Sequence, residues 1–360
     1  MNPLLHQLQT MIRTEGPISL SIYMGLALGH PEHGYYHSRN PFGAAGDFIT
    51  APEISQMFGE LIGLWCVQCW RDMGAPREFI LCELGPGRGT LMADALRAAR
   101  IAPDFLSAAR LHFVETSPVL RESQQAAIKQ PVIWHDGVAD LPPLPALIIA
   151  NEFFDALPIR QFQRNQGGWY ERMITLDPQT EQLFFVLSPA PLPDDGVLPK
   201  AVRSAPDGAI AEICLAARGV VAHLAAHLVE HGGAALIIDY GPSASAPGDS
   251  FQAVSGHKHV NPLCDPGAAD LTAHVDFQAL ADAARVAGCH VDGPIAQGRF
   301  LLALGMAQRA ARLAQNAPAD EQAMLKSAVH RLTAPDQMGS LFKVMALRHP
   351  ALAPSPGFEG

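Results

Sequence analysis

Residues 83–90 read Glu83-Leu84-Gly85-Pro86-Gly87-Arg88-Gly89-Thr90 and follow directly on the short apolar run Phe79 to Leu84. A strand that runs through glycines into a helix is a βα turn. Glycine takes φ > 0 without steric penalty and lets a ligand come close to the backbone. The spacing is G-x-G-x-G with Thr90 after it. It therefore departs from the G-x-G-x-x-G fingerprint of dinucleotide sites. Glu83 lies two residues ahead of the first glycine. Its carboxylate would repel a pyrophosphate and attract a ligand carrying an ammonium or sulfonium. Taken alone, the same turn is equally a plain connection in an α/β sheet.

The neighbouring pattern favours such a sheet. Thr90 to Arg100 reads as a helix, Leu111 to Val114 as a strand, Pro118 to Ile128 as a helix and Val132 to Trp134 as a strand. Leu147 to Phe154, Ala234 to Tyr240 and Val291 to Ala296 add strands, and Leu341 to Leu347 a last one. Alternation of this kind predicts right-handed βαβ units and a mostly parallel, seven-stranded sheet. Upstream, residues 1–75 read as helices interrupted by the Gly/His-rich loop Gly29 to Thr50, with a helix from Glu53 to Met73 that starts near Thr50 and Pro52. Ile159 to Arg164, Trp169 to Leu176 and Gln182 to Leu187 form a β-rich insertion, followed by a Pro-rich linker and a helix from Ile210 to His231. Gly241 to Asp270 reads as a loop. The expected organisation is a helical cover region (1–75), a Rossmann-like core (76–158 and 232–350) and an insertion (159–231).

The chain has 360 residues, 48% hydrophobic and 17% charged, a composition of folded proteins with a large core. The net charge of −10 without a basic cluster argues against nucleic acid or an anionic membrane as partner. No apolar run approaches the ~20 residues of a membrane span. The start lacks a secretory pattern and the Arg/Ser richness of a transit peptide. The six cysteines read as reduced thiols, so the expected location is cytoplasmic. No metal site is expected. Cys66 and Cys69 lack a second ligand pair. His223 and His227 lack the Glu of a zincin helix. His30, His33 and His37 sit in a loop rich in Gly and Pro.

Acids recur at the strand ends. Val114-Glu115 ends the second strand, where a carboxylate accepts both ribose hydroxyls of an adenosine-type ligand. Asp136 ends the third strand, and Asn151, Glu152 and Asp155 crowd the end of the fourth. The pattern E-x-G-x-G-x-G resembles motif I of class I S-adenosylmethionine-dependent methyltransferases. Longer segments sharpen the resemblance: Gly46-Asp47-Phe48-Ile49-Thr50-Ala51-Pro52-Glu53, Phe58-Gly59-Glu60, Asn151-Glu152-Phe153-Phe154-Asp155-Ala156-Leu157-Pro158, Ile238-Asp239-Tyr240-Gly241, Asp270-Leu271-Thr272-Ala273-His274 and Gln297-Gly298-Arg299-Phe300. These resemble the MidA-type methyltransferases, bacterial relatives of the mitochondrial complex I assembly methyltransferase, from about residue 17 to 347. One departure is the loop Phe251 to Pro262, where Ala253-Val254-Ser255-Gly256-His257 replaces a Tyr-Arg-Gly-His-like stretch.

The resemblance implies a protein-arginine methyltransferase forming symmetric dimethylarginine on a quinone-module subunit of complex I. S-adenosylmethionine would be held by Glu83, Gly85, Gly87, Gly89, Glu115, Asp136 and Asn151. An arginine acceptor is always protonated at neutral pH, so carboxylates must hold it. Glu152 and Asp155 are the catalytic candidates, with His274 to take up the released proton. Asp47, Glu53 and Glu60 are candidate substrate contacts. The alternatives are an NAD(P)-dependent oxidoreductase, disfavoured by the glycine spacing and by Glu83, and a non-catalytic assembly chaperone that keeps the fold.

Overall fold

The computed structural model describes residues 2–38, 50–193 and 195–359. The chain forms two compact units. One comprises Met1–Phe48, Asp155–Gly219 and Ala244–Ala279, the other Ile49–Phe154, Val220–Ser243 and Leu280–Gly360.

The second unit holds the main sheet. Its strands are β1 (Phe79–Leu84), β2 (Ala109–Val114), β3 (Val132–His135), β4 (Ala146–Asn151), β5 (Gly233–Tyr240), β6 (His290–Ala296) and β7 (Phe342–Arg348). They lie in the order β6-β7-β5-β4-β1-β2-β3. The pairings β1–β2, β1–β4, β2–β3 and β4–β5 are parallel. β7 runs antiparallel to both of its neighbours. The parallel strands are those the alternation predicts, and the antiparallel last strand is the one the resemblance to class I methyltransferases implies.

The chain walks outward from β1 through β2 to β3, then returns to β4 on the other side of β1. Ligands of open α/β sheets bind at the carboxyl ends of the strands beside such a switch point. The central strands are apolar because both faces are covered: β4 is buried along its whole length, as is β5 up to Tyr240. On one face the helix Gln56–Asp72 packs Phe58, Leu61, Ile62 and Trp65 into the core that holds Leu81, Phe113, Leu147 and Ile149. A Cβ on Gly63 would come within 2.5 Å of the Ala95 carbonyl oxygen, so this helix meets Thr90–Ala98 almost backbone to backbone.

Three elements differ from expectation. The helix expected over Glu53 to Met73 is broken at Ser55, which is extended (φ −161°) and whose hydroxyl caps Gln56–Asp72 by accepting from Met57 N. Ala51–Ile54 forms a separate turn. Residues 49–75, which the sequence groups with the N-terminal region, lie in the unit of the main sheet. Ile210–Ile213 pairs as a strand with Arg160–Asn165, so the following helix starts only at Leu215. The expected loop Gly241 to Asp270 contains a hairpin of Gln252–Ser255 and Lys258–Val260. Gly256 and His257 turn it with φ of +57° and +61°, the primed geometry that matches strand twist.

The first unit contains the β-rich insertion as a five-stranded sheet, which Ile18–Ser19 joins by pairing with Gly168–Leu176. Leu4 and Leu8 of helix Pro3–Glu15 and Tyr23 and Met24 of helix Leu20–Gly29 share a core with Ile174. All six cysteines are free thiols. Among the described residues no helix is long and apolar enough to cross a membrane.

Candidate functional site

The glycine turn leaves β1 at the switch point. Gly85, Gly87 and Gly89 have φ of +58°, +53° and +82°, left-handed values that favour glycine. Gly85 N donates to Val114 O at 2.9 Å and Gly89 N to Pro86 O at 2.8 Å, which closes the turn. A Cβ on Gly85 would meet the Phe153 ring at 3.0 Å, so the cradle has no room for a side chain there.

Glu83 is buried, and its Oε2 has no hydrogen-bond partner among the described residues. Burial pushes its carboxyl up to about 8, against the opposing hydrogen bond from the Met92 backbone. A buried, unpaired carboxylate oxygen is costly unless something meets it. Asn151, at the end of β4, likewise has a buried Oδ1 without a partner, while its Nδ2 donates to Glu152 Oε1 at 3.2 Å. Two orphaned oxygens beside a glycine cradle suit the ammonium end of an amino-acid-bearing ligand.

Glu115, at the end of β2, is also buried. Its Oε1 accepts from Ser117 N at 2.8 Å and its Oε2 from Gln124 Nε2 at 3.2 Å. Burial raises its carboxyl, opposed by donors at Ser117, Gln124 and Thr116 and by the charge of Arg121. Three donors on about four lone-pair sites leave the carboxylate room to accept from a hydroxyl. Asp136 is exposed and bonds Arg121 at 2.6 Å. The donor set, with buried acids and an amide beside a glycine cradle, therefore fits S-adenosylmethionine.

Glu152 follows β4 with φ +50°, a left-handed value that costs a non-glycine residue about 1–2 kcal/mol. Its Oε1 accepts from Ala51 N at 3.1 Å, and its N–H donates to Ile238 O at 2.9 Å. Buried Asp239, at the end of β5, braces the same turn by accepting from Phe154 N at 3.0 Å and Tyr240 N at 2.9 Å. In the first unit, Asp155 is buried and its carbonyl accepts from Ala273 N at 3.0 Å. The phenol of Tyr36 bonds Asp270 Oδ1 at 2.9 Å. Burial, then the charges of Asp270 and Asp155, push that phenol well up. His274 is exposed, and its N–H donates to Ser250 Oγ at 2.8 Å.

The carboxylates named as substrate contacts have other employment. Glu53 takes a two-point contact from Arg88 (Nε 3.2 Å, Nη2 2.7 Å) and accepts from Thr90 Oγ1 at 2.8 Å, tying its helical turn to the glycine loop. Buried Glu60 bonds Arg97 at 2.9 Å and Arg309 at 2.7 Å. Burial works to raise its carboxyl, but the hydrogen bonds and charges of Arg309 and Arg97 hold it below the usual range. Asp47 lies outside the described residues.

The sequence missed Asp239 and Gln124 as parts of this region. Asp239 stands within a quoted segment, at a strand end where acids recur. Gln124 shares the buried face of helix Pro118–Ala127 with Leu120 four residues earlier, and a polar residue on an apolar stripe was the available signal.

Two variants separate binding from folding. Glu60→Ala leaves two half-exposed guanidinium groups without their shared partner. It is expected to cost about 1–2 kcal/mol, discounted for solvent screening, and to lower the melting temperature without changing cofactor affinity. Glu83 acts through pH. Its folded carboxyl, at about 8, lies above the unfolded value near ~4.3. Between these the folded state alone holds the proton, so the stability present at low pH is lost as pH rises through about 8. Glu83→Gln should therefore melt higher than the parent near about pH 8 and flatten the pH profile, while weakening the cofactor. Parallel profiles in scanning calorimetry would count against the buried carboxyl.

Comparison with known proteins agrees with this geometry. Residues 61–295 match a family described as "Putative S-adenosyl-L-methionine-dependent methyltransferase". The Drosophila melanogaster protein named protein arginine methyltransferase NDUFAF7 homolog, mitochondrial, is 38% identical over 377 residues, covering 96% of this chain and 84% of its own. The human protein arginine methyltransferase NDUFAF7, mitochondrial, is 35% identical over 375 residues, covering 96% and 83%. A COG1565 superfamily member from Burkholderia thailandensis, solved bound to S-adenosyl-homocysteine, superposes with a TM-score of 0.82 at 27% identity, covering 99% of this chain and 92% of its own. The eukaryotic relatives are named mitochondrial, which overturns the cytoplasmic location expected from the sequence. Free thiols fit any reducing compartment and never singled out the cytosol. The match also sets aside the oxidoreductase alternative. With the glycine cradle, the orphaned acid and this family match together, the chain belongs to the S-adenosyl-L-methionine-dependent methyltransferases.

Proposed function

We propose that this enzyme methylates arginine on a protein, forming symmetric dimethylarginine on a quinone-module subunit of respiratory complex I. The observation that carries the reading is the turn after β4: a strained Glu152 and a buried Asp155 within five residues of Asn151. The relatives named protein arginine methyltransferase, aligned over nearly the whole chain, support it.

When bound, S-adenosylmethionine supplies an electrophilic methyl on a sulfonium. Glu83, Gly85, Gly87, Asn151 and Glu115 bind and orient it. Glu152 and Asp155 hold the acceptor guanidinium and aim one nitrogen, which is mainly a task of positioning. His274 takes up the proton that the nitrogen loses.

The test is labelled methyl transfer to the isolated quinone-module subunit and to a lysate, followed by digestion and mass spectrometry. Symmetric dimethylarginine on the subunit is the expected product. Label on lysine, on a carboxylate or on a small molecule would reject arginine as the acceptor.

A further inference from the structure

We propose that Gln124 is a positioning residue for the nucleoside end of the methyl donor, holding the Glu115 carboxylate and the Gly87 backbone in one fixed relation. The proposal rests on Glu115 as the acceptor of the ribose hydroxyls. Gln124 is fully buried on the helix Pro118–Ala127. Its amide meets three groups whose hydrogen-bonding roles allow no exchange. Trp134 Nε1, on β3, can only donate and lies 2.8 Å from Gln124 Oε1. The Gly87 carbonyl can only accept and lies 2.9 Å from Nε2. Glu115 Oε2, at the end of β2, is 3.2 Å from the same nitrogen. The indole N–H therefore fixes which way the amide faces and directs Nε2 at both the loop and the carboxylate.

One side chain thus ties β3, the glycine turn and the carboxyl end of β2 together. The other groups at Glu115 do less. Ser117 N–H bonds Oε1, the other oxygen of the carboxylate. Arg121 engages the Glu115 carbonyl and the Asp136 carboxylate. On β3, the His135 carbonyl accepts from Glu115 N, and burial holds that imidazole below its ordinary value. Among these contacts, Gln124 alone also reaches the glycine turn.

The experiment is calorimetric binding of S-adenosyl-homocysteine to the full chain, with thermal melts of each variant. Gln124→Met keeps the volume and removes the donor. Affinity should fall about tenfold, the size of one lost hydrogen bond to a charged group. The deficit should widen as pH falls, because burial already raises the Glu115 carboxyl and the variant loses a donor that favours its charged form. Gln124→Glu should show the opposite trend, since two carboxylates face each other at high pH and protonation restores an O–H donor. On a Glu115→Ala background, Gln124→Met should add less than about twofold.

A purely structural Gln124 would lower the melting temperature and leave affinity and its pH trend unchanged in the folded variant, which overturns the proposal. If the Gln124 variants do not fold, Trp134→Phe removes the indole donor that orients the amide while leaving Gln124 in place, with a melt to report the lost packing. A smaller loss of affinity is then expected, and unchanged affinity overturns the proposal. If Glu115→Ala weakens binding while Gln124→Met does not, positioning by Gln124 fails and the ribose assignment stands. If Glu115→Ala itself binds as well as the parent, both fall.

Discussion

Asp155→Asn and Glu152→Gln, each made alone, should abolish methyl transfer while leaving S-adenosylmethionine affinity within about tenfold. In the proposed reaction a guanidinium meets a sulfonium, and burying two cations without compensating carboxylates costs several kcal/mol. Asp155 is 7% exposed, so its negative charge is held in low dielectric, where pairing with a cation is strongest. Glu152 is held in a left-handed conformation, and strain of this kind persists where surrounding contacts over-determine the backbone. Its contacts with Ala51 N and Asn151 Nδ2 and the brace from Asp239 to Phe154 N supply that determination. The amide variants keep shape and an acceptor oxygen but lose the charge. Single-turnover transfer and calorimetry on the same preparations give the two readouts. Loss of cofactor binding in both variants would move the turn to the donor side and end the division of roles proposed above.

Gly87→Val should give folded protein whose cofactor affinity has dropped by about a hundredfold or more, ~3 kcal/mol. Gly87 has φ +53°, and a β-branched residue there is strained while its side chain fills the space a ligand needs. Its carbonyl accepts from Gln124, so a shift of the turn also pulls on the Glu115 carboxylate. The turn lies at the surface end of the strand, so the sheet core should survive, as far-UV circular dichroism would report. Parent-like affinity in calorimetry would remove the glycine turn from the site.

Much of this was legible because strands buried on both faces leave an unambiguous apolar run. Phe79 to Leu84, Leu147 to Phe154 and Ala234 to Tyr240 read as strands because they are short, apolar and set in an α/β alternation. Short strands at sheet edges carry no such signal. Ile210–Ile213 was absorbed into the helix that follows, since four residues have no decisive period. The hairpin at Gly256-His257 was hidden because its turn puts a histidine where asparagine or glycine is usual. The break at Ser55 was missed because Ser fits both an N-cap and a helix interior, and only the backbone path chooses.

The sequence by itself determined the strands of the main sheet, the glycine turn and the acids at the strand ends, because periodicity and glycine placement are local properties of the chain. Tertiary structure decided which of those acids are already spoken for. Glu53 and Glu60 look like free carboxylates in the sequence, yet Arg88, Arg97 and Arg309 reach them from 35, 37 and 249 residues away. Glu83 looks like any strand-end acid, yet burial leaves one of its oxygens without a partner. Pairing between distant residues and loss of solvent depend on the packed fold, and neither is written in the spacing of any motif.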